Sequence, residues 1–500
     1  MIGQKFFEDL GESANPVFIK EMRQYFQNRR MIILMGLLLL IEFICTLFFS
    51  SAAEYSADGG NGVAFFLLVV FGGAILSVII CSLGAEQRFA EERSDKELNY
   101  AMLTTLKPAS IILGKLEGAL VMILCIFSLL LPFLTASYFL RGLSAASLLL
   151  VLFMIPVLVL TTLAGILAGS FGKRWITILY FIALINAGIG IVPAGFSIAQ
   201  ELIDGAALDP EIWIALGVEY GISLLIGGLL FLLSVAVVSP PKSNRLFPVK
   251  LYLFLLPFLT CAVMAPFYLA FRSTGSFTNE LFYAFEFLFV GGAFGVLLLI
   301  SLFEQPTAGI RVYMKCPRNF FARVFHFIFS TGFCGSLLLT LPVMVIPLVI
   351  LPFMKFRWSG QVGAYGFLCM MFTVLSAVLL SQILAWMTKL RLPPWLWTVI
   401  FLVIGNAGVL IPVIINEGYE DLNESVQIIA MQFSQIFTFI EFVDGSTTHS
   451  PIPTALVISA IVTGVLFLVL SPVYFKAFRL HRRPDESDAV KTPTAEMMKK

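Results

Sequence analysis

The charged residues of this chain that could bind a partner or transmit force are concentrated in residues 86–115. This stretch reads EQRFAEERSDKELNYAMLTTLKPASIILGK and has a long apolar run on either side. A charged, helix-compatible stretch between two apolar runs is typical of a segment that joins two membrane spans at the bilayer surface. The sequence therefore predicts a cytoplasmic segment on which a soluble partner applies force.

Acidic residues inside the apolar runs form a second group of candidates. Charged side chains are costly within a bilayer and are frequently functional there. Glu42 and Glu286 have no basic residue nearby, and Glu219 precedes Tyr220. Each of the three is interpreted as a partner in an interhelical hydrogen bond or as a substrate or gating residue. Glu117 is expected in the first turn of a span, where a helix N-terminus stabilises a carboxylate.

The sequence contains no motif for catalysis or nucleotide hydrolysis. HExxH, GxSxG and the P-loop pattern G-x-x-x-x-G-K-[ST] are all missing, so the chain is predicted not to be an enzyme. The seven cysteines have no CxxC spacing, and the histidines (His326, His449 and His481) lie far apart along the chain. Neither a metal site, nor a disulfide framework, nor a cofactor is therefore predicted.

The composition excludes most classes of soluble protein. Hydrophobic residues make up 59% of the chain and charged residues 13%, whereas a soluble protein carries roughly 25% charged residues. A formal net charge of +1 gives no indication of nucleic-acid binding. The predicted fold class is an all-α polytopic membrane protein embedded in a lipid bilayer.

About twelve apolar runs are long enough to cross a bilayer as helices. They are residues 32–51, 63–83, 116–139, 148–171, 176–198, 212–238, 251–271, 281–303, 327–354, 362–387, 396–415 and 452–474. Lys and Arg concentrate in alternate connections, with local exceptions such as Arg141, Arg272, Lys355 and Arg357. This pattern predicts a multi-pass protein of the cell (plasma or inner) membrane with both termini in the cytoplasm.

Residues 15–30, which precede the first span, read NPVFIKEMRQYFQNRR. Their apolar side chains recur at a spacing of three to four residues, and the basic ones lie mostly on the other face. This predicts an interfacial amphipathic helix, with a short soluble helix as the alternative.

The two halves of the sequence resemble each other. Gly72-Gly73-Ala74 aligns with Gly291-Gly292-Ala293, Glu86 aligns with Glu304 after a one-residue slip, and Asn186 aligns with Asn406. This predicts two parallel six-helix repeats, residues 1–247 and 248–483, followed by a disordered tail at 484–500. Asn186 and Asn406 join the intramembrane candidates.

The first half of the chain fits two linked motifs: an NP-x-x-x-K-E-x-R helix before the first span, and a cytoplasmic helix after the second span of pattern E-R-E-x-G-T-L-E-L-L-L-x-T-P-L-S-P, closed by I-x-x-G-K. The residues that fit are Asn15, Pro16, Lys20, Glu21, Arg23, Glu92, Arg93, Leu98, Thr104, Leu106, Pro108, Ile111, Gly114 and Lys115. In this the first half resembles an ABC-2 type ABC-transporter permease, the family in which the two motifs occur together. Lys96 and Glu97 stand in place of the Gly-Thr pair, and Thr105 replaces a proline.

The resemblance implies that separate cytoplasmic ATP-binding-cassette ATPase subunits push on residues 15–30 and 86–115, and that two six-span halves rock to open a path for a substrate. The sequence does not identify this substrate, and export is the direction favoured by the family. The coupling residues implied are Lys20, Glu21, Arg23, Glu91, Glu92, Arg93, Leu98, Pro108, Gly114 and Lys115. Because residues 304–323 have lost most of the motif, unequal ATPase contacts are expected.

Two other functions fit the same sequence. A secondary transporter driven by an ion gradient would also have two parallel six-helix halves. A non-transporting membrane scaffold that tethers a soluble complex is the other alternative.

Overall fold

The computed structural model describes residues 15–53, 60–94, 106–140, 151–185, 210–240, 243–271, 276–304, 310–350, 358–387, 396–401, 403 and 452–481. The chain divides into two compact units, Met1–Ser239 and Pro240–Lys500. All regular structure in the residues described is helical.

The first helix in the described part of the chain is the amphipathic helix that the sequence predicts. This helix, α1 (Pro16–Gln27), starts where the Asn15 side chain accepts a hydrogen bond from the Val17 N–H at 3.1 Å, with Pro16 at the first helical position. It ends at Asn28, whose backbone is extended. The interfacial position of α1 stays a prediction.

The remaining helices of the first unit correspond to the apolar runs, except for α4, which lies in the charged stretch at residues 86–115 and begins just before it. They are α2 (Arg29–Ala53), α3 (Gly60–Ser77), α4 (Gly84–Ser94), α5 (Pro108–Phe139), α6 (Val151–Ser170), α7 (Arg174–Ile185) and α8 (Pro210–Val238). A π-helical segment, Val78–Leu83, joins α3 to α4 without a break. Because α5 begins at Pro108, Glu117 lies well inside the helix. The prediction that Glu117 occupies the first turn is therefore wrong.

The second unit contains α9 (Phe247–Phe271), α10 (Ser276–Phe303), α11 (Ile310–Met314), α12 (Phe320–Phe329), α13 (Phe333–Ile350), α14 (Trp358–Met387) and α15 (Ile452–Leu480). The sequence predicts one continuous span at residues 327–354. This prediction is wrong at the N-terminal end of the span, where the helix is broken. The chain bends by 93° between α12 and α13. Gly332, in the bend, has a φ of 152°, a backbone conformation that side chains with a Cβ rarely adopt.

Six helical segments in the described part of the chain are long and apolar enough to cross a membrane, or seven if α12 and α13 together form one span. The six are Met31–Ser51, Gly62–Arg93, Pro108–Phe139, Leu216–Val238, Phe247–Pro266 and Leu456–Arg479. Apolar side chains on these helices point outward, among them Phe48 at 66% exposure and Leu468 at 72%, an arrangement suited to lipid. The prediction of an all-α polytopic membrane protein is confirmed. The finer count of about twelve spans in two six-helix modules stays a prediction.

Helix α6 lies unusually close to the π segment and to α4. A Cβ atom added at Gly165 would lie 2.5 Å from the Ser82 backbone oxygen, and one added at Gly169 would lie 2.5 Å from the Glu86 backbone oxygen. The Ser82 hydroxyl donates a hydrogen bond to the Thr161 carbonyl at 2.6 Å. Small residues at both positions thus allow the two helices to meet backbone to backbone.

We expect Gly169→Val to destabilise the first unit by about 1–3 kcal/mol, because the added side chain must displace backbone atoms. The matched control is Gly36→Val in α2, since a Cβ at Gly36 has nothing within 4 Å. Thermal unfolding of the full chain in detergent measures both variants. An equal loss of stability in the two would contradict the close approach.

Candidate functional site

A cluster of ion pairs, buried at its centre and exposed at Lys20, joins α1 to α4 and α5. This ion-pair cluster consists of Lys20 and Glu21 on α1, Arg88 and Glu92 on α4, and Lys115 on α5. The Lys115 ammonium contacts the Glu21 carboxylate and lies 2.9 Å from Glu92 Oε2. Lys20 Nζ lies 2.7 Å from Glu92 Oε1, and Arg88 Nε lies 3.8 Å from Glu21 Oε2. The Lys115 and Glu21 side chains are 4% and 3% exposed, so their charges are compensated mainly by each other.

Two glycines on α5 let α1 lie directly against it. A Cβ at Gly114 would be 2.8 Å from both Asn15 Nδ2 and Val17 Cβ, and one at Gly118 would be 3.0 Å from Glu21 Cβ. Asn15 Nδ2 also donates a hydrogen bond to the Ser110 carbonyl at 2.6 Å. The contact between the two helices therefore depends on backbone proximity as well as on charge.

Aromatic rings complete the ion-pair cluster. The Arg88 guanidinium lies 3.9 Å from the centroid of the Tyr25 ring, and Lys115 Nζ lies 4.8 Å from the centroid of the Phe89 ring. Both rings are fully buried. Burial raises the pKa of the Tyr25 hydroxyl, although the neighbouring Arg88 lowers it, so this group is neutral at physiological pH. Rings placed against cations add stabilisation that a purely ionic contact lacks.

The sequence did not single out Arg88, Tyr25 or Phe89. For Arg88 a signal was present, since Arg88 and Glu92 are four residues apart and share a helical face. For the two rings, nothing in the local pattern separates them from the other aromatic residues near the spans.

The structure divides the predicted coupling residues into an inward and an outward group. Lys20, Glu21, Glu92, Gly114 and Lys115 are brought together in the contact between α1, α4 and α5. Arg23 and Glu91 are exposed on α1 and α4. The remaining three differ: Arg93 packs beside Gly172, Pro108 is the first residue of α5, and Leu98 lies outside the described residues.

The intramembrane candidates are placed only in part. Glu42 is buried in α2, and its Oε1 would lie 3.1 Å from a Cβ at Gly72 on α3. Within the residues described, neither Glu42 Oε2 nor Glu219 Oε2 has a hydrogen-bond partner. The Glu286 side chain, Asn186 and Asn406 lie outside what the structure describes.

The second unit has a buried polar centre at the bend between α12 and α13. Lys250 Nζ, on α9, lies 3.0 Å from Glu304 Oε2 and donates to the Ser330 carbonyl at 2.5 Å. Glu304 Oε1 accepts a hydrogen bond from the Gly332 N–H at 3.0 Å. Lys250 thus ties α9 both to the end of α10 and to the bend.

The fold also brings together residues that could hold a metal ion. The donor atoms of Cys316, His326 and His481 all lie within 4.8 Å of one another. His326 and His481 are far apart in sequence, so spacing along the chain gave no sign of this cluster.

We expect Lys115→Met to lower the stability of the first unit by roughly 3–5 kcal/mol, because it leaves the buried Glu21 carboxylate without its main counter-charge. The double variant Glu21→Leu with Lys115→Met removes both buried charges and should recover most of the loss. The melting temperature of the purified chain in detergent reports these changes.

Arg23→Ala is the control for that series, because Arg23 is exposed on the same helix as Glu21. It should melt as the wild-type chain does. A wild-type melting temperature for Lys115→Met would show that the ion-pair cluster does not hold α1 in place.

Comparison of the chain with protein-family models, with curated proteins and with solved structures finds no match.

Proposed function

We propose that the chain is the membrane-spanning permease subunit of an ATP-driven transporter of the ABC-2 type. Separate cytoplasmic ATPase subunits act on α1 and α4, and the movement passes into the spans to translocate a substrate. The observation that carries this proposal is the ion-pair cluster. It joins the helix before the first span to the end of the second span and to the start of α5.

The lengths of the helices support transmission of force. Helix α5 has 32 residues, which at about 1.5 Å per residue is about 48 Å, longer than a hydrocarbon core of about 30 Å. One end of α5 therefore extends beyond the hydrocarbon. Its N-terminal end, which carries Gly114 and Lys115, is the polar one. A push on α1 acts on a rigid helix that continues across the membrane.

Charge supports a cytoplasmic position for this end of the first unit. Arg23, Arg29 and Lys107 are exposed around the ion-pair cluster, and basic residues are enriched on the cytoplasmic side of spans. Arg23 and Glu91, exposed on the two helices that the cluster joins, are the residues we assign to ATPase contact. The inward group instead holds the two helices together.

The π segment supports the internal repeat. Gly72 and Glu86 are 14 residues apart, whereas the matching Gly291 and Glu304 are 13 apart, so the first copy has one extra residue. A π segment holds more residues per turn than an α-helix and can absorb an insertion without breaking the helix. The slip lies between Ala74 and Glu86, a stretch that contains the π-helical Val78–Leu83, while α10 is α-helical up to Phe303.

The matched glutamates support divergence between the two copies. The Glu86 and Glu304 side chains are both buried or nearly so, and both accept hydrogen bonds. Glu86 Oε1 accepts one from the Thr177 hydroxyl at 2.6 Å, whereas Glu304 pairs with the Lys250 ammonium. The two aligned glutamates thus have different kinds of partner: a neutral hydroxyl for Glu86 and a charged ammonium for Glu304. This fits the proposal that the ATPase contacts are unequal.

The charge reversals Arg23→Glu and Glu91→Lys should weaken binding of the ATPase subunit roughly tenfold, which is about 1.4 kcal/mol, and Arg23→Glu should leave the melting temperature unchanged. The control is Asp58→Lys, a reversal of the same size in the connection predicted on the other side of the membrane. Binding is measured between the tagged full chain and a purified P-loop ATPase subunit from the same organism. ATP hydrolysis by the complex is measured in vesicles.

Two outcomes contradict the proposal. One is accumulation of a solute in vesicles that runs on a proton or sodium gradient without any ATPase, which identifies a secondary transporter. The other is a complex that forms and hydrolyses ATP but transports nothing. In that case the vesicle contents stay unchanged after incubation with cell extract, as analysed by mass spectrometry. That result identifies a scaffold.

A further inference from the structure

Cys316, His326 and His481 lie on three separate elements of the second unit. Cys316 follows α11, His326 is on α12, and His481 follows the last helix, α15. His326 Nδ1 and His481 Nε2 are 2.8 Å apart. The side chains of Cys316 and His481 are almost entirely buried, with their residues 4% and 2% exposed.

We propose that these three residues bind one thiophilic d¹⁰ metal ion, Zn²⁺ or Cu⁺, and that this ion fastens the end of α15 to α11 and α12. Thiolate and imidazole are the protein ligands that these ions prefer. The proposal concerns the second unit alone and does not depend on the transport function.

The distances fit an ion after a small adjustment. Bond lengths of about 2.0–2.1 Å to nitrogen and about 2.3 Å to sulfur place tetrahedral donor atoms roughly 3.3–3.6 Å apart. The two imidazole nitrogens are already closer than this, and no pair of donor atoms is more than 4.8 Å apart. A shift of the side-chain donor atoms by about an ångström would replace the hydrogen bond between the two imidazoles with two bonds to the metal.

Metal binding fixes the protonation states of the three ligands. A metal ion binds imidazole in its neutral form and cysteine as the thiolate, so binding would release the proton of the Cys316 thiol.

The surroundings of the three residues are aromatic. The Tyr313 ring lies 5.4 Å from the His481 ring and the Phe327 ring lies 5.3 Å from it. On the other side Arg323 is positioned over the Phe478 ring at 4.8 Å. Apolar walls limit competition from water for the ion. The positive charge of Arg323 favours the smaller charge of Cu⁺, which forms a neutral unit with one thiolate and two imidazoles, whereas the same unit with Zn²⁺ keeps a charge of +1.

The ion would act as a cross-link between distant parts of the chain. His481 continues from α15, with its N–H donating to the Ala477 carbonyl at 3.0 Å, and Cys316 Sγ lies 3.6 Å from the His481 carbonyl oxygen. The last span is thus held against the short helices that follow α10. In the bound state α11 and α12 can move only together with the end of α15.

The test uses the full chain in detergent, purified with a tag that contains no histidine. Metal content is measured by mass spectrometry, and the chelated protein is then titrated with Zn²⁺, with Co²⁺ as a spectroscopic probe for Zn²⁺, and anaerobically with Cu⁺. We expect one ion per chain and, with Co²⁺, the near-ultraviolet charge-transfer absorption of a cobalt–thiolate bond. The Zn²⁺ and Cu⁺ titrations identify the preferred ion.

Cys316→Ser should abolish the cobalt–thiolate band and weaken binding at least about 100-fold, and His481→Gln should weaken it in the same direction. Cys45→Ser, in the first unit, is the matched control and should bind as the wild-type chain does. If Cys316→Ser fails to fold, the wild-type chain gives the answer: bound metal should slow alkylation of Cys316 and not of Cys45, as measured on the peptides.

Three results would overturn the proposal. The first is a wild-type chain that binds neither Zn²⁺ nor Cu⁺ at micromolar free metal, which would leave a hydrogen bond between imidazoles as the whole of the contact. The second is binding unchanged in Cys316→Ser. The third is alkylation of Cys316 at the same rate with and without metal.

Discussion

The contact between Lys115 and Glu21 is the interaction on which the arrangement of the first unit depends. Removing an ammonium and a carboxylate from water costs several kcal/mol for each ion, and this is recovered only when the two meet in good geometry. A lysine buried to 4% exposure on α5 therefore requires a carboxylate at one place, and Glu21 on α1 supplies it. An apolar contact between the same helices would tolerate sliding, whereas the ion pair fixes one register.

The glycines of α5 and α6 make this arrangement possible in a different way. Gly114 and Gly118 let α1 approach α5 closely enough for the buried pair to form, and Gly165 and Gly169 let α6 approach the π segment and α4. The first unit is thus held by close backbone contacts at two interfaces, with charge added at one of them. Such an assembly is stiff where the proposed force enters the protein, and this stiffness is what a coupling element requires.

The second unit also contains a buried lysine paired with a glutamate, but the two residues lie on or next to different helices from those of the first unit. Its buried lysine, Lys250, comes from α9 and pairs with Glu304, which follows α10. The Lys250 ammonium also donates a hydrogen bond to the Gly332 carbonyl at the bend, and Glu304 accepts one from the Gly332 N–H. In the first unit the buried lysine comes from α5 and pairs with the helix before the first span. The two units therefore differ in which helix ends their buried lysines hold together. The Cys316, His326 and His481 cluster adds a further tie in the second unit that has no counterpart among the described residues of the first.

The sequence by itself determined the fold class and the approximate position of most helices. Hydropathy is a local property, and a bilayer accepts only segments whose backbone hydrogen bonds are satisfied internally, so runs of about 20 apolar residues specify helices without reference to the rest of the chain. The start of α1 was equally local, because Asn15 and Pro16 act on the turn that follows them. Only the tertiary structure decided which charged residues pair with each other: Lys20 and Glu92 are 72 residues apart and Glu21 and Lys115 are 94 apart. It alone also revealed the bend after Phe329 and the meeting of His326 with His481. Pairing, bending and burial depend on which helices pack together, and no local pattern carries that information.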